Sequence, residues 1–419
     1  MPPSLKSGSA RSPVAIPWRM LPSFLRDMRS DRLALLDGIR LRVAPVARIP
    51  LTRFVIVNDS GIALAILRDT DHFPLKGLGL RDARLYLGSG RLTATMAEWS
   101  LSHPSTQALY NGSSFRQSAE AVLPLLQASL PETGAASVGL RLQPLLDAAI
   151  MRSLLTPMLG PELSSLEDVG RLIADINCLT SWTSRRLSLP FATFSRLSWR
   201  VSRSERAAYA RLQSRIMTWQ ATAPAGTLRS FATTDCANVG FELLTLLLAG
   251  FETTSATVGF AIDAVARSPT GGETIASAED PLQAARAVVL ETLRLHPPVW
   301  AITRLAVADA AVGGWCFSKG TEVLIDVRGV QRDPAVWARP NGFDPSRFDD
   351  ASALPASYLP FGAGPRQCVG RRLGIDESAS IVAWLFSNYR VSAQTEASPP
   401  VVGLAQRPGG SPVYKLARR

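Results

Sequence analysis

The chain has 419 residues, of which 46% are hydrophobic and 19% are charged. That apolar content excludes an intrinsically disordered chain and supports a sizeable core, in one large helical unit or in two or three average domains. The net charge is +11, but isolated arginines carry it, without the basic runs and motifs of nucleic-acid-binding proteins. The excess fits either solubility alone or an acidic protein partner.

The N-terminal segment and the cysteines indicate a soluble, cytoplasmic protein. Met1–Ser12 is polar and rich in Ser, Pro and Lys, so we expect a disordered tail over residues 1–15 and one domain over residues 16–419. The longest apolar run, Leu243–Phe251, is far shorter than the ~20 residues that cross a bilayer. The four cysteines form no CxxC pair, which indicates a reducing compartment and neither a disulfide framework nor a zinc site.

Helical apolar spacing runs through the middle of the chain. The predicted helices are Ser118–Leu130, Leu140–Met158, Leu166–Trp182, Ser204–Trp219 and a long helix that begins near Ala237. Breaks between them are expected at Pro131, Gly160, Pro190 and Pro224.

Strand signals follow the helices. Alternating Val, Ile and Leu with paired glycines predict a small sheet between Ala301 and Asp326. Six prolines between Arg328 and Gly370 forbid long regular elements there. A last helix is expected from about Gly370 to Phe386, and a terminal hairpin after Val391. The predicted fold is therefore mainly α-helical with a minor β region.

The segment Phe361-Gly-Ala-Gly-Pro-Arg-Gln-Cys-Val-Gly370 places Cys368 in a glycine-rich loop directly before a helix. Unpaired N–H groups of such a loop and of the helix N-terminus stabilise a thiolate and lower its pKa. Gly364 and Gly370 permit tight turns and close approach. A thiolate in this position is suited to bind a metal, with Arg366 placed to reach a carboxylate beside it.

This ten-residue pattern resembles the cysteine-ligand loop of the cytochrome P450 family. The resemblance implies haem b (iron protoporphyrin IX) with Cys368 as its axial thiolate and metal ligand, and with Phe361, Arg366 and Gly370 against the cofactor. It also implies that haem lies between the long central helix and the cysteine loop. Four ordered motifs carry the resemblance over most of the chain, and they look more like those of soluble bacterial members.

A second motif is Glu291-Thr-Leu-Arg294 on an apolar helix. An i,i+3 ion pair is weak evidence by itself, but the apolar surroundings predict that this pair is buried and needs further hydrogen bonds. The block around Arg347 resembles the family's segment that completes a Glu/Arg/Arg network. We expect these three residues to be structural.

The third motif is Ala249-Gly-Phe-Glu-Thr-Thr254 within the long helix. In the family, the small Ala249–Gly250 pair lets the helix pass close over the iron, and Glu252 and Thr253 match the acid and alcohol that deliver protons during oxygen activation. An alternative is that Thr253 and Thr254 only donate to helix carbonyls.

The haem carboxylates need basic or donor side chains. By resemblance, Arg304 and Trp99 supply two of them. His103 stands where the family usually has an arginine four residues after the tryptophan, and a neutral imidazole donates one hydrogen bond without a fixed charge.

The implied activity is insertion of one oxygen atom of O2 into a small apolar organic substrate, by hydroxylation or epoxidation, in secondary metabolism or catabolism. Electrons should come from an external donor, a ferredoxin with its reductase or a flavodoxin, docking near Arg371 and Arg372. A haem-thiolate isomerase or peroxygenase and a non-catalytic haem sensor remain alternatives, although Glu252 and Thr253 argue against them. Specificity is expected from Phe73–Arg91, Leu187–Arg206, Leu246, Ala249, Trp300–Thr303 and Val401–Leu404.

Overall fold

A long helix through the centre of the molecule organises the fold of the computed structural model. The structure describes residues 10–77, 79–101, 113–130, 139–166, 168–187, 201–222, 239–350 and 354–419. The central helix is Val239–Arg267, and it contacts five other long helices as well as strands of the C-terminal region. Its side chains are buried on most sides, including those of Phe251, Val258 and Ala261.

Helices make up most of the described chain. In chain order they are α1 Leu21–Ser30, α2 Arg32–Arg42, α3 Ser60–Arg68, α4 Leu80–Leu87, α5 Ser113–Ser129, α6 Gln143–Leu166, α7 Val169–Leu187, α8 Arg203–Thr222, α9 Val239–Arg267, α10 Gly271–Ala276, α11 Pro281–Leu295, α12 Val327–Val330 and α13 Arg371–Asn388. Residues 96–101 are also helical. Short 3-10 turns are Trp18–Met20, Pro345–Phe348 and Gly364–Arg366.

Short strands form the remaining regular structure. They are β1 Val14–Ala15, β2 Val46–Arg48, β3 Phe54–Val57, β4 Leu75–Lys76, β5 Gly139–Leu140, β6 Ala301–Leu305, β7 Ala310–Val312, β8 Trp315–Phe317, β9 Glu322–Asp326, β10 Tyr389–Ala393, β11 Val401–Val402, β12 Gln406–Arg407 and β13 Tyr414–Arg418. The fold is mainly α-helical with a small β region, as predicted.

The predicted helices are present, with longer or shifted ends. The expected break at Gly160 is a kink inside α6, where this glycine takes φ 80° and ψ 160°. The helix predicted from Ala237 continues to Arg267, because buried contacts on most sides offset the cost of Gly250 in its interior. The breaks at Pro131, Pro190 and Pro224 lie outside the described residues.

The main sheet is larger than its predicted part. It has six strands in the order β1-β2-β3-β9-β6-β4, so strands before residue 77 pair with strands after residue 300. Within the tail predicted at residues 1–15, Val14–Ala15 pairs with β2, and the Arg11 N–H donates to the Gly314 carbonyl at 2.8 Å. Regular structure therefore begins before residue 16. Pairing with the sheet supplies hydrogen-bond partners for backbone groups of this segment.

Of the described helices, only α9 is long and apolar enough to cross a membrane by length and composition. The apolar window of this helix is 78% buried within the protein. A core helix passes the same test when neighbouring helices cover it, as α6, α8, α11 and α13 do here.

A buried ion pair on α11 holds the proline-rich segment that leads to the cysteine loop. Arg294 donates through Nε to Glu291 Oε2 at 2.6 Å and through Nη2 to Oε1 at 2.7 Å, and neither side chain is exposed. The same guanidinium donates to the carbonyls of Pro340 at 2.6 Å and Gly342 at 3.0 Å. These bonds replace regular structure in a segment where proline prevents it.

Arg347 completes the surroundings of the Glu291 carboxylate. Its Nε lies 3.5 Å from Glu291 Oε1, and the Asp344 N–H donates to the same oxygen at 2.8 Å. Glu291 therefore contacts both Arg294 and Arg347, and the three side chains form one cluster.

Replacing Glu291 with Gln should destabilise the protein by roughly 3–5 kcal/mol, because the Arg294 guanidinium would stay buried without its counter-charge. Urea denaturation measures the free energy of unfolding. Glu273→Gln is the matched control, since Glu273 pairs with Arg419 at 2.8 Å but is 59% exposed, and such surface pairs are worth about 1 kcal/mol or less. Equal stability of the two variants would contradict a structural role for the buried pair.

Candidate cofactor site and adjoining cavity

The cysteine loop turns tightly against α3. The Cys368 N–H donates to the Phe361 carbonyl at 2.9 Å, which closes the loop. Gly364 has φ 72°, and a Cβ there would lie 2.5 Å from the Leu67 carbonyl oxygen, so only glycine fits. Gly370 instead has φ −83°, and a Cβ would lie 4.0 Å from the Cys368 sulfur. Its predicted backbone freedom is therefore not needed, although its small size keeps space beside Sγ.

The Cys368 side chain is exposed on one side, although much of the protein surrounds it. Burial raises the pKa of its thiol, whereas the Gly370 N–H and the charge of Arg91 lower it. The lowered pKa that the loop predicts is thus not produced by the protein alone, because desolvation of the thiolate outweighs the Gly370 hydrogen bond and the Arg91 charge. A metal ion bound to the sulfur removes that penalty. Among the described residues, no three His, Cys, Asp or Glu side chains cluster as a metal site.

The central helix presents one face to a cavity. Ala249, Glu252 and Thr253 line this cavity. Gly250 points elsewhere, since a Cβ there would lie 3.3 Å from the methyl groups of Leu154 on α6. Neighbouring helix positions are about 100° apart. Of the predicted Ala–Gly pair, Ala249 therefore lines the cavity and Gly250 packs against α6.

Glu252 forms an ion pair that the sequence did not suggest. Arg407 on β12 contacts Glu252 Oε1 at 3.1 Å through Nε and at 2.9 Å through Nη2. Arg407 Nη2 also donates to Asn177 Oδ1 on α7 at 3.1 Å. Burial raises the pKa of Glu252, the Arg407 charge and hydrogen bond lower it, and the Asp147 charge raises it, with a net upward shift. Burial is the dominant cause.

Thr253 and the neighbouring Thr254 have different surroundings. The Thr253 hydroxyl donates to the Ala249 carbonyl at 2.5 Å, which leaves its oxygen lone pairs as acceptors at the cavity wall. Thr254 is buried beside α13, where a Cβ at Gly374 would lie 3.9 Å from its hydroxyl oxygen. The Thr253 hydroxyl therefore donates a hydrogen bond to a helix carbonyl and also lies at the cavity wall.

Cationic side chains gather on the side of the cysteine loop. Arg366 donates through Nη2 to the Ala94 carbonyl at 2.6 Å, its guanidinium lies 6.0 Å from the Trp99 ring, and its Nη1 is buried without a hydrogen-bond partner. Arg304 is 4% exposed and donates through Nη1 to the Thr303 carbonyl at 2.9 Å. Burial lowers the pKa of each arginine to about 10. His103 lies outside the described residues.

The cavity beside Glu252 and Thr253 has a volume of about 150 Å³. Its walls are mostly apolar, with Arg32 and Thr303 as further polar members. The expected specificity stretches contribute Leu80, Ala249, Trp300, Ala301, Thr303 and Leu404. The stretch Leu187–Arg206 is described only in part.

Other cavity residues come from regions to which the sequence analysis gave no part in substrate specificity. They are Phe24, Arg32, Leu35, Leu36, Ile49, Phe54, Ile56 and Leu324. They stand on α1, α2, the β2–β3 hairpin and β9. Nothing in their local pattern separates a cavity wall from ordinary core, because both need only apolar side chains.

The residues present fit a haem. Cys368 offers one accessible sulfur, and Gly364 and Gly370 keep the adjoining loop compact. Arg304 and Arg366 offer buried positive charge, and one guanidinium nitrogen has no partner in the described chain. Carboxylate groups of a ligand would satisfy these donors.

Comparison with known proteins supports the same family. A family model described as Cytochrome P450 matches residues 230–405. Cyclooctatin synthase of Streptomyces melanosporofaciens is 34% identical over 185 residues, 40% of this chain and 39% of that protein. Cyclooctat-9-en-7-ol 5-monooxygenase of the same organism is 31% identical over 167 residues, 36% of each chain. The chain thus spans about two fifths or less of the length of these curated relatives.

The fold likeness extends over nearly the whole chain. The crystal structure of CYP175A1 from Thermus thermophilus has a TM-score of 0.80 at 20% identity, and the superposition covers 96% of this chain and 99% of that one. The family-model match includes the central-helix motif, Glu291, Arg294 and Cys368. The chain is therefore similar to the Cytochrome P450 family in sequence over residues 230–405, and it shares the fold of CYP175A1 over nearly its whole length.

Proposed function

We propose that this protein is a haem-thiolate monooxygenase in which Cys368 is the axial ligand of haem b. The observation that carries the proposal is the exposed Cys368 in its tight loop directly before α13, a helix that packs against α9, whose cavity face carries Glu252 and Thr253. Bound haem supplies activation of O2 and insertion of one oxygen atom into the substrate, and thiolate donation favours O–O cleavage. Phe361, Arg366 and Gly370 would hold it from the loop, and Trp99, Ala249 and Arg304 from neighbouring elements.

Glu252 and Thr253 are proposed to move protons into the cavity. Both Arg407 contacts are to Glu252 Oε1, and Oε2 accepts no hydrogen bond from the described residues. The raised pKa of Glu252 makes its protonated form more accessible near neutral pH, as a proton donor requires. Thr253 stands on the next position of the same face and can accept at its oxygen.

The cavity supports a small apolar organic substrate. Its mostly apolar walls exclude water and leave few polar groups to orient the molecule. Hydroxylation or epoxidation in secondary metabolism or catabolism is the proposed reaction class. The burial of α9 in the core supports a soluble protein, and we place it in the cytoplasm.

An external electron donor, an acidic ferredoxin with its reductase or a flavodoxin, is proposed to dock beside the cysteine loop. Arg371 and Arg372 are exposed at the start of α13. Arg372 Nε lies 3.6 Å from Asp376 Oδ2, but its side chain is 88% exposed. Exposed Arg68 also adjoins the cysteine loop, because a Cβ at Gly364 would lie 3.1 Å from its Cα.

Replacing Cys368 with His should abolish the long-wavelength Soret band of the reduced carbon monoxide complex, because imidazole is a neutral donor. The absorption spectrum of the reduced, carbon monoxide-treated protein measures this. Cys178→Ser is the control, since Cys178 on α7 is a free, partly buried cysteine. Persistence of the band in Cys368→His would mean that another residue is the ligand.

Replacing Thr253 with Ala should uncouple turnover, so that peroxide is released in place of product while substrate binding stays close to wild type. The ratio of product to electrons consumed measures coupling. Thr257→Ala is the control, because Thr257 lies one turn later and donates to the Thr253 carbonyl at 2.8 Å. Full coupling in Thr253→Ala would exclude this hydroxyl from the proton path.

Reversing both arginines in Arg371→Glu/Arg372→Glu should slow haem reduction by an acidic donor and flatten its dependence on ionic strength, since screening acts on steered association. Stopped-flow reduction across a salt series measures both effects. Lys415→Glu/Arg418→Glu on β13 makes the same change in net charge at exposed positions elsewhere. Equal rates and salt slopes in the two double variants would eliminate Arg371 and Arg372 as the docking site.

A further inference from the structure

Lys76 lies directly opposite Arg304 at the edge of the main sheet. It ends β4, which pairs antiparallel with β6 in the register Leu75 with Leu305 and Lys76 with Arg304. Residues directly opposite each other in such a pair project their side chains from the same face, with Cβ atoms about 4.5–5.5 Å apart. Two like charges in this arrangement destabilise the pairing unless something neutralises them.

The chain directly after Lys76 lies very close to the neighbouring strands. A Cβ at Gly77 would lie 2.7 Å from Thr303 Cβ and 2.8 Å from Glu322 Oε2, so Gly77 brings the end of β4 into close contact with β6 and β9. Glu322 pairs in register with Leu305, which places it on the face opposite Arg304. There it forms an ion pair with Arg81 at 2.9 Å.

Arg366 is the third cation of this group. The pKa of Lys76 falls well below its ordinary value because of burial first, and then because of the charges of Arg304 and Arg366. The acid whose charge reaches Arg366 is Glu98, and Glu98 already binds Arg84 at 2.7 Å. In the part of the chain that the structure describes, no carboxylate forms an ion pair with Lys76, Arg304 or Arg366.

Three cations without a counter-ion call for a ligand with more than one negative charge. The haem proposed beside Cys368 carries two carboxylates. By resemblance, the sequence also has His103 where the family usually places an arginine, and a neutral histidine carries no fixed charge. Lys76 stands in the first part of the chain, where no motif marked it.

We propose that Lys76 binds a haem carboxylate together with Arg304 and Arg366, and supplies the fixed positive charge that His103 does not. This inference rests on the proposed haem site. The ligand chemistry is a carboxylate pair held by one ammonium and two guanidinium groups. Haem retention then depends on a residue that the sequence motifs do not mark.

Lys76→Met removes the charge and keeps most of the side-chain length. The haem-loaded variant should lose haem to excess apomyoglobin at least about tenfold faster than wild type, which corresponds to about 1.4 kcal/mol. Its reduction potential should become more negative, because a cation near the cofactor favours the reduced state. Lys76→Arg should restore both quantities, since a guanidinium binds carboxylate as well.

Lys319→Met is the matched control, because Lys319 is exposed on the turn between β8 and β9, and it should change neither quantity. Wild-type haem loss and potential in Lys76→Met, with a normal carbon monoxide band, would overturn the role of Lys76 and leave the haem-thiolate proposal intact. Faster haem loss with an unchanged potential and no rescue by Lys76→Arg would indicate lost packing and would also overturn it. A wild-type protein that takes up no haem would refute both proposals.

Discussion

The buried pair of Glu291 and Arg294 is the constraint on which the site depends. Two unexposed charges are tolerated only when their remaining donors and acceptors are satisfied, and here backbone carbonyls at Pro340 and Gly342 and the Asp344 N–H do this. The pair therefore fixes a long segment without regular structure. That segment leads towards the cysteine loop, so the charges on α11 anchor the chain upstream of Cys368.

The two sides of the candidate site differ in how their buried charges are compensated. On the cavity side, the acid Glu252 is neutralised within the protein by Arg407, and the other walls are mostly apolar. On the cysteine side, Arg304 and Arg366 remain without an acidic partner in the described chain. Burying such charges costs free energy until an anionic ligand binds. Cofactor binding and stability should therefore be coupled, because a ligand that binds only the folded state stabilises it.

Likeness in sequence and likeness in fold have different extents. The curated relatives align over 40% of the chain or less, whereas CYP175A1 superposes on 96% of it. The family-model match begins near α9 and includes the cysteine loop, where the buried ion pair, the tight turns and the proposed sulfur ligand restrict which residues fit. The cavity walls on α1, α2 and the β2–β3 hairpin require mainly apolar volume, which many side chains supply.

The sequence by itself determined the fold class, the main helices and the Cys368 loop, because helical spacing and residue-specific motifs act over short distances. It also predicted that Glu291 and Arg294 are buried. Only the tertiary structure decided that β3 pairs with β9, that Gly250 packs on Leu154, that Arg407 holds Glu252 and that Lys76 faces Arg304. These contacts join segments that are far apart in the chain, so no local pattern records them. The thiol pKa of Cys368 was also decided there, since desolvation depends on depth within the fold and not on the loop's own donors.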